Sequence, residues 1–385
     1  MTARVVKGSG LDPFAAIRDA YSGKLLPETQ VAVFRGTDEI FPTRIVAAGR
    51  RPYPLPRAPR QLRELTIESR GAQFDLVDYV SRNCVAGLLV LDRGRVSLEH
   101  YEFGNGPETR WLSMSMAKSV ATTLVGAALQ DGLMASIEDP LTKYLPDCAG
   151  TSYDGVSVQH LLQMTSGVAW DDTQTDPDSD RRRMLELQIQ QEPGSIGRYV
   201  RSRPRTGASG RTWNYSTGET HIVGELLRAV LGRWLSDYLS ERIWSAFSME
   251  TDATWWLESP GGLEVAGSGI GATLRDYGRF GLFMMHDGVA DGRRVLPEGW
   301  VREATAPRVV TGELLDYGYM WWPVPARDGS FDQRAFSARG IFGQYIYVNP
   351  QAEVVIVVWS ARSKPKGSEA ILDNDFFNAV VEALR

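Results

Sequence analysis

What this chain lacks narrows its function before any motif is read. Cysteine occurs only twice, at Cys84 and Cys148, in no metal-binding or redox spacing. Free buried thiols are therefore expected rather than a disulfide framework. The four histidines, His100, His160, His221 and His286, form no close cluster, and no HExxH occurs, so neither a metal nor a cofactor is implied. No apolar run is long enough to span a membrane, which argues against a membrane partner. The opening MTARVVKGSGLDPF has no apolar stretch of the kind a signal peptide needs, so a cytoplasmic location is the default expectation. Lysine is scarce, found only at positions 7, 24, 118, 143, 364 and 366, and the formal net charge is −5, which leaves no basic footprint for nucleic acid. A G-x-S-x-G elbow is also missing, which argues against an α/β-hydrolase triad. What is present is the material of an ordinary globular protein, 43% hydrophobic and 23% charged over 385 residues. That length suits one large unit or two interleaved ones.

One stretch organises the rest: Trp111 to Met134, WLSMSMAKSVATTLVGAALQDGLM. From Ser115 to Leu129 it is apolar or small nearly all round, the pattern of a helix buried inside a domain. Gln130, Asp131 and Gly132 supply a polar stop with glycine at the left-handed position. Yet the first turn holds Ser115, Lys118 and Ser119. Residues three apart share a helix face, so the Ser115 hydroxyl and the Lys118 amine converge. Burial disfavours a charged amine, and a neutral amine beside a hydroxyl is a base beside a nucleophile. Ser-x-x-Lys alone is a weak signal, and a second match, Ser363-Lys-Pro-Lys366, reads as a polar loop. Only the first match has the buried helical context.

Along the chain, residues 1 to 80 read as polar and irregular, with Arg50 to Arg60 (RRPYPLPRAPR) as an extended arm. Ala86–Leu91 and Val96–Tyr101 flank a polar turn and predict a hairpin. Val156 to Val168 reads as a capped helix in which His160 is structural. The charged Trp170 to Pro204 stretch reads as a lid or binding loop, and Leu226 to Met249 as a helix. The run Gly267 to Gly271 is a tight turn, not a phosphate loop, because it lacks the necessary lysine. Gln344–Val348 and Val354–Ser360 predict a late hairpin, and Ser368–Arg385 a terminal helix. The expected fold is α/β in the broad sense (α+β): an antiparallel sheet built from both chain ends and flanked by helices. Residues 1–170 and 266–385 would form a discontinuous catalytic domain, with a mostly helical region, 171–265, inserted.

A second chemical stretch is Thr212 to Gly218, TWNYSTG, ahead of a helix. Tyr215 can point into a cleft there, and a phenolate stabilised by a nearby lysine could accept the serine proton. Together these segments resemble the serine hydrolases of the class C β-lactamase type, a family that includes D,D-peptidases, esterases and nylon-oligomer hydrolases. The resemblance covers roughly residues 84 to 385. Ser115-Met-Ala-Lys118 looks like the family's Ser-x-x-Lys, and Tyr215-Ser-Thr217 like its Tyr-x-Asn. LTKYLPD, HLLQMTSG and Gly224-Glu-Leu-Leu look familial as well. The resemblance implies Ser115 as nucleophile, Lys118 as base partner and Tyr215 as the acid/base serving the leaving group. It also implies an oxyanion hole from the Ser115 and Ile341 amides, with Ala338-Arg339-Gly340 in the place of Lys-Thr-Gly. The Gly340-to-Gln344 stretch looks closest to 6-aminohexanoate-dimer hydrolases.

Two departures shift the substrate expectation. Ala338 stands where the family has lysine, and Thr217 where it has asparagine, and both disfavour a β-lactam. Arg339 reads as a solvent-facing strand residue, with a cation for an acidic substrate as the less favoured alternative. Trp170, Thr217, Gly267 and Gly340 are the expected substrate-binding positions. The reading is a serine hydrolase of small esters or linear amides acting through an acyl-enzyme, without cofactor, and a homodimer is what the resemblance suggests. The alternatives are a β-lactamase or D,D-peptidase, and a silent binding module on the same fold.

Overall fold

The computed structural model describes Lys7 and residues 10–385. Most of the opening stretch read above as lacking an export signal lies outside the described residues.

Long apolar runs dictate the main sheet. Val85–Asp92 and Val354–Ser360 are buried almost end to end, as strands covered on both faces must be. They pair antiparallel, with Leu88 opposite Val358 and Val90 opposite Ile356. The six-stranded order is Trp322–Pro323, Phe336–Gly340, Gln344–Asn349, Val354–Ser360, Val85–Asp92, Arg95–Tyr101. Both expected hairpins are present, one early and one late in the chain, and all pairings in this sheet are antiparallel.

Side-chain alternation assigns each strand two faces. Leu88, Val90, Ile356 and Val358 join a smaller core beneath the terminal helix Asp373–Leu384, with its Phe376, Phe377 and Val380. Leu89, Leu91, Val355, Val357 and Trp359 face the larger core. The helix Leu274–Met285 lies close on that side: a Cβ at Gly278 would stand 2.6 Å from a Leu89 methyl, and one at Gly281 2.5 Å from Val355. Beyond it lies Met116–Gln130, buried from Met116 to Ala128. A four-stranded sheet, Thr43–Val46, Ala253–Trp256, Ile270–Thr273 and Arg110–Leu112, stands behind the start of that helix. Among the described residues no helix is long and apolar enough to cross a membrane.

Four readings need correction. The described residues up to 80 are not irregular throughout. Asp12 caps a helix at Pro13–Tyr21, and Pro27 opens another at Pro27–Arg35; proline at the first helical turn escaped the apolar-pattern reading. The stretch Arg50–Arg60 does run extended, and its Ala58 bonds the Val96 carbonyl along the sheet edge. Trp170 to Pro204 is a loop only at first: Asp180–Gln190 and Ser195–Arg201 are helices. Their charge is spent inside, since Arg181 bonds the Tyr21 hydroxyl and Arg182 the Ser22 hydroxyl. The stretch Leu226–Met249 is broken at Gly232, whose φ of 64° ends the helix Thr217–Leu231. Val156–Val168 is helical only over Val158–Leu162, because Met164 and Gly167 take positive φ. Both cysteines are free, Cys148 buried and Cys84 partly so.

Candidate active site

Ser115 is placed by a strand and fixed by a sharp turn. The strand Arg110–Leu112 pairs with Ile270–Thr273, and the pairing continues through Ser113, whose N–H bonds the Ile270 carbonyl at 2.7 Å. Met114 then takes φ 45°, a conformation costly for a non-glycine residue and characteristic of functional turns. Ser115 follows at the helix N-cap position, but its hydroxyl caps no backbone N–H. That oxygen is free for chemistry.

Lys118, one turn on, is 2% exposed. Its Nζ lies 3.0 Å from Ser115 Oγ and 3.1 Å from the Gly267 carbonyl. Burial is the main force on this amine and lowers its pKa to about 7. Asp172 opposes the shift, while the positive charges of Arg181 and Lys366 add to it.

Tyr215 stands on the other side, its phenol beside the Ser115 hydroxyl and its ring centroid 5.2 Å from Lys118 Nζ. Burial, reinforced by Asp172, raises the phenol's pKa well above its ordinary value. Burial therefore works against the phenolate expected from sequence. The turn after Phe336–Gly340 completes the group. A Cβ at Gly340 would lie 2.6 Å from the Ser113 carbonyl, so this edge meets the turn before Ser115 with no room for a side chain. Phe342 and Gly343, both at positive φ, turn the chain back. Among the described residues neither the Ser115 nor the Ile341 N–H donates to any partner.

These groups border a cleft of about 420 Å³, within the range of small-molecule sites. Gly340 and Ile341 line it. Trp170 does not: it packs over Gly218 and borders an adjoining recess shared with Tyr215 and Trp213. Thr217 and Gly267 stand behind the cleft against Lys118; a Cβ on Gly267 would be 3.4 Å from Nζ and 3.0 Å from the Thr217 methyl.

Sequence reasoning passed over several neighbours. Asp172 accepts bonds from Trp170 Nε1 and the Thr217 N–H, tying the loop to the helix behind Tyr215. Trp213, two residues before Tyr215, and Trp322 line the cleft. Arg339 also borders the cleft rather than facing away into solvent, with its guanidinium 5.2 Å above Trp322. Lys366, from the disregarded Ser363–Lys366 match, stands at the rim 5.8 Å from the Tyr215 ring. Its only signal in the sequence was lysine scarcity itself.

The profile of the β-lactamase family matches residues 80–376. The chain belongs to the β-lactamase family. It is 28% identical over 348 residues to the 6-aminohexanoate-dimer hydrolase of Paenarthrobacter ureafaciens, covering 86% of this chain and 85% of that one. An inferred 6-aminohexanoate-dimer hydrolase from Bacillus anthracis superposes with a TM-score of 0.80 at 21% identity, over 91% of this chain and 92% of its own. A class C β-lactamase from Rhodobacter sphaeroides gives 0.56 at 18%, over 80% and 97%. A penicillin-binding protein homologue from Caulobacter crescentus gives 0.58 at 15%, over 97% and 98%. The fold is thus that of the β-lactamase-type serine hydrolases, as the sequence resemblance implied.

Proposed function

We propose that this member of the family hydrolyses small esters or linear amides through an acyl-enzyme on Ser115. The observation that carries the reading is a buried lysine amine, lowered to about 7, held 3.0 Å from a hydroxyl that caps nothing. Near neutral pH a large share of that amine is unprotonated. It takes the Ser115 proton as Oγ bonds to the substrate carbonyl carbon. The oxyanion that forms is received by the Ser115 and Ile341 N–H groups, donors already unpaired and therefore needing no reorganisation. The protonated Lys118 and the neutral Tyr215 phenol are the acids next to the departing oxygen or nitrogen. They supply its proton as the carbonyl–heteroatom bond breaks. Water then attacks the acyl carbon, with the same amine as base, and Ser115 regains its proton.

Linear substrates are favoured over β-lactams for two reasons. Ala338 is fully buried and offers no cation where the family has lysine, and the relative from Paenarthrobacter ureafaciens is a 6-aminohexanoate-dimer hydrolase. Hydrolysis of p-nitrophenyl butyrate, the linear 6-aminohexanoate dimer and nitrocefin, by wild type and Ser115→Ala side by side, tests the reading. Ester or linear-amide turnover that vanishes in Ser115→Ala, with labelling of Ser115 by a fluorophosphonate, is expected. Efficient nitrocefin cleavage would restore the β-lactamase alternative. Full activity in Ser115→Ala would sink the mechanism.

A further inference from the structure

Charges around the cleft do not cancel, and the imbalance says what the substrate carries. Two carboxylates border it, Asp373 and Glu369. Asp373 is held by both Nη atoms of Arg362, at 2.9 and 2.5 Å, and Glu369 lies 3.6 Å from Arg70 and 3.9 Å from Arg362. These acids are satisfied within the protein. Lys364 points away, donating to the Gly23 carbonyl. Arg339 and Lys366 remain. Arg339 Nε bonds the Ser337 hydroxyl and its guanidinium lies over Trp322, but it meets no carboxylate, and its Nη2 is buried without a hydrogen-bond partner. Lys366 has the Tyr215 ring as its neighbour and no carboxylate among the described residues. A buried guanidinium N–H left unpaired is costly, and an anion in the cleft removes that cost.

The two cations border the same cleft. Arg339 lies over Trp322, Trp322 packs 6.0 Å from Tyr215, and Lys366 lies above the same Tyr215. We propose that Arg339 and Lys366 form the subsite for a carboxylate on the substrate, so that the preferred substrates are acidic esters or amides. This rests on the hydrolase reading above and adds the charge of the substrate to it. Asp172 and its loop border the adjoining recess, which Lys366 also lines, whereas Arg339 borders the cleft alone.

The test compares matched pairs that differ in one carboxylate: mono-p-nitrophenyl adipate against p-nitrophenyl hexanoate, and 4-butyryloxybenzoate against its methyl ester. The first pair places the charge on the acyl half and the second on the leaving half. Each kcat/KM is divided by the rate with hydroxide alone, and the ratio within a pair cancels losses of folding or of nucleophile. Wild type should favour the acidic member of at least one pair by roughly tenfold or more, the worth of a charge-assisted contact. The ratio should fall toward one in Arg339→Gln and Lys366→Gln, and favour the neutral member in Lys366→Glu. Calorimetry with adipate reads the subsite without turnover, and its affinity should drop by about tenfold in each Gln variant. Hydrolysis that depends on Ser115 but shows no acidic preference would overturn this inference and leave the hydrolase reading standing. Adipate binding without turnover of any ester would do the reverse.

Discussion

Two lysines stand near Ser115, one buried behind the cleft and one at its rim, and their surroundings are opposite. At the rear, Lys118 is closed in by Gly267, Thr217 and the helix Met116–Gln130, and water is excluded. At the front, Lys366 stands exposed on a loop above the same tyrosine. The amine that is desolvated drops to about 7, while the exposed one stands at the cleft rim. The chemistry of a lysine is thus decided by what packs against it. Arg362 and Arg339 repeat the contrast: both Nη atoms of one are paired with the Asp373 carboxylate, and the other meets no carboxylate.

The strongest way to break this comparison is at Lys118. Lys118→Ala should lower kcat by ~10²–10⁴-fold, the usual worth of a positioned general base. Lys118→Arg should do no better, because a guanidinium does not release its proton near neutral pH. Ester hydrolysis at near wild-type rate in Lys118→Arg would show that charge, not basicity, matters at the rear wall. The paired arginine comes next. Arg362→Met leaves the Asp373 carboxylate buried and uncompensated and should cost ~3–5 kcal/mol in urea unfolding. Arg339→Met strands no carboxylate and should cost less than ~1 kcal/mol. Equal losses would mean that the two cations are not as different as their partners suggest.

A smaller effect is expected at Gly267. The methyl of Gly267→Ala must share space with the Thr217 methyl and Lys118 Nζ, and it should lower kcat by about tenfold while the fold persists. Circular dichroism and ester kinetics on the same sample check both halves of that statement. The gentlest test is pH. The free amine of Lys118 exists above its pKa, so kcat/KM should rise through about pH 7. Asp172 favours the protonated amine, so Asp172→Asn should move this limb to lower pH. Lys366 disfavours it, so Lys366→Gln should move the limb to higher pH. Each shift should be of the order of a few tenths of a unit, as expected for charges separated by partly hydrated space. Shifts of one sign in both variants would show that neither charge acts on Lys118 through its field.

Legibility differed by region for a physical reason. Strands buried on both faces leave an apolar run in the sequence, so Val85–Asp92 and Val354–Ser360 were readable, as was the all-apolar helix. The first 80 residues and the stretch from Asp180 to Arg201 were not, because their charged side chains find partners far away in sequence. Arg181 with Tyr21 and Arg18 with Glu186 are examples, and such pairs leave no local period. Trp213 and Trp322 were missed, and Arg339 was read toward solvent, for a related reason: nothing in one strand or turn says which side of it a cleft will occupy.

By itself the sequence determined that Ser115 and Lys118 share a helix face, because a spacing of three residues is a property of the helix alone. It also determined that this helix would be buried, and that the two chain ends would meet in one sheet. Only the tertiary structure decided that Lys118 would lose its charge and Tyr215 keep its proton. It alone put Arg339 and Lys366 around the cleft that Ser115 borders. Desolvation and field depend on which distant segments close over a group. Here those segments are Gly267, Asp172 and the loop after Ser360, brought to Ser115 by folding and not by adjacency in the chain.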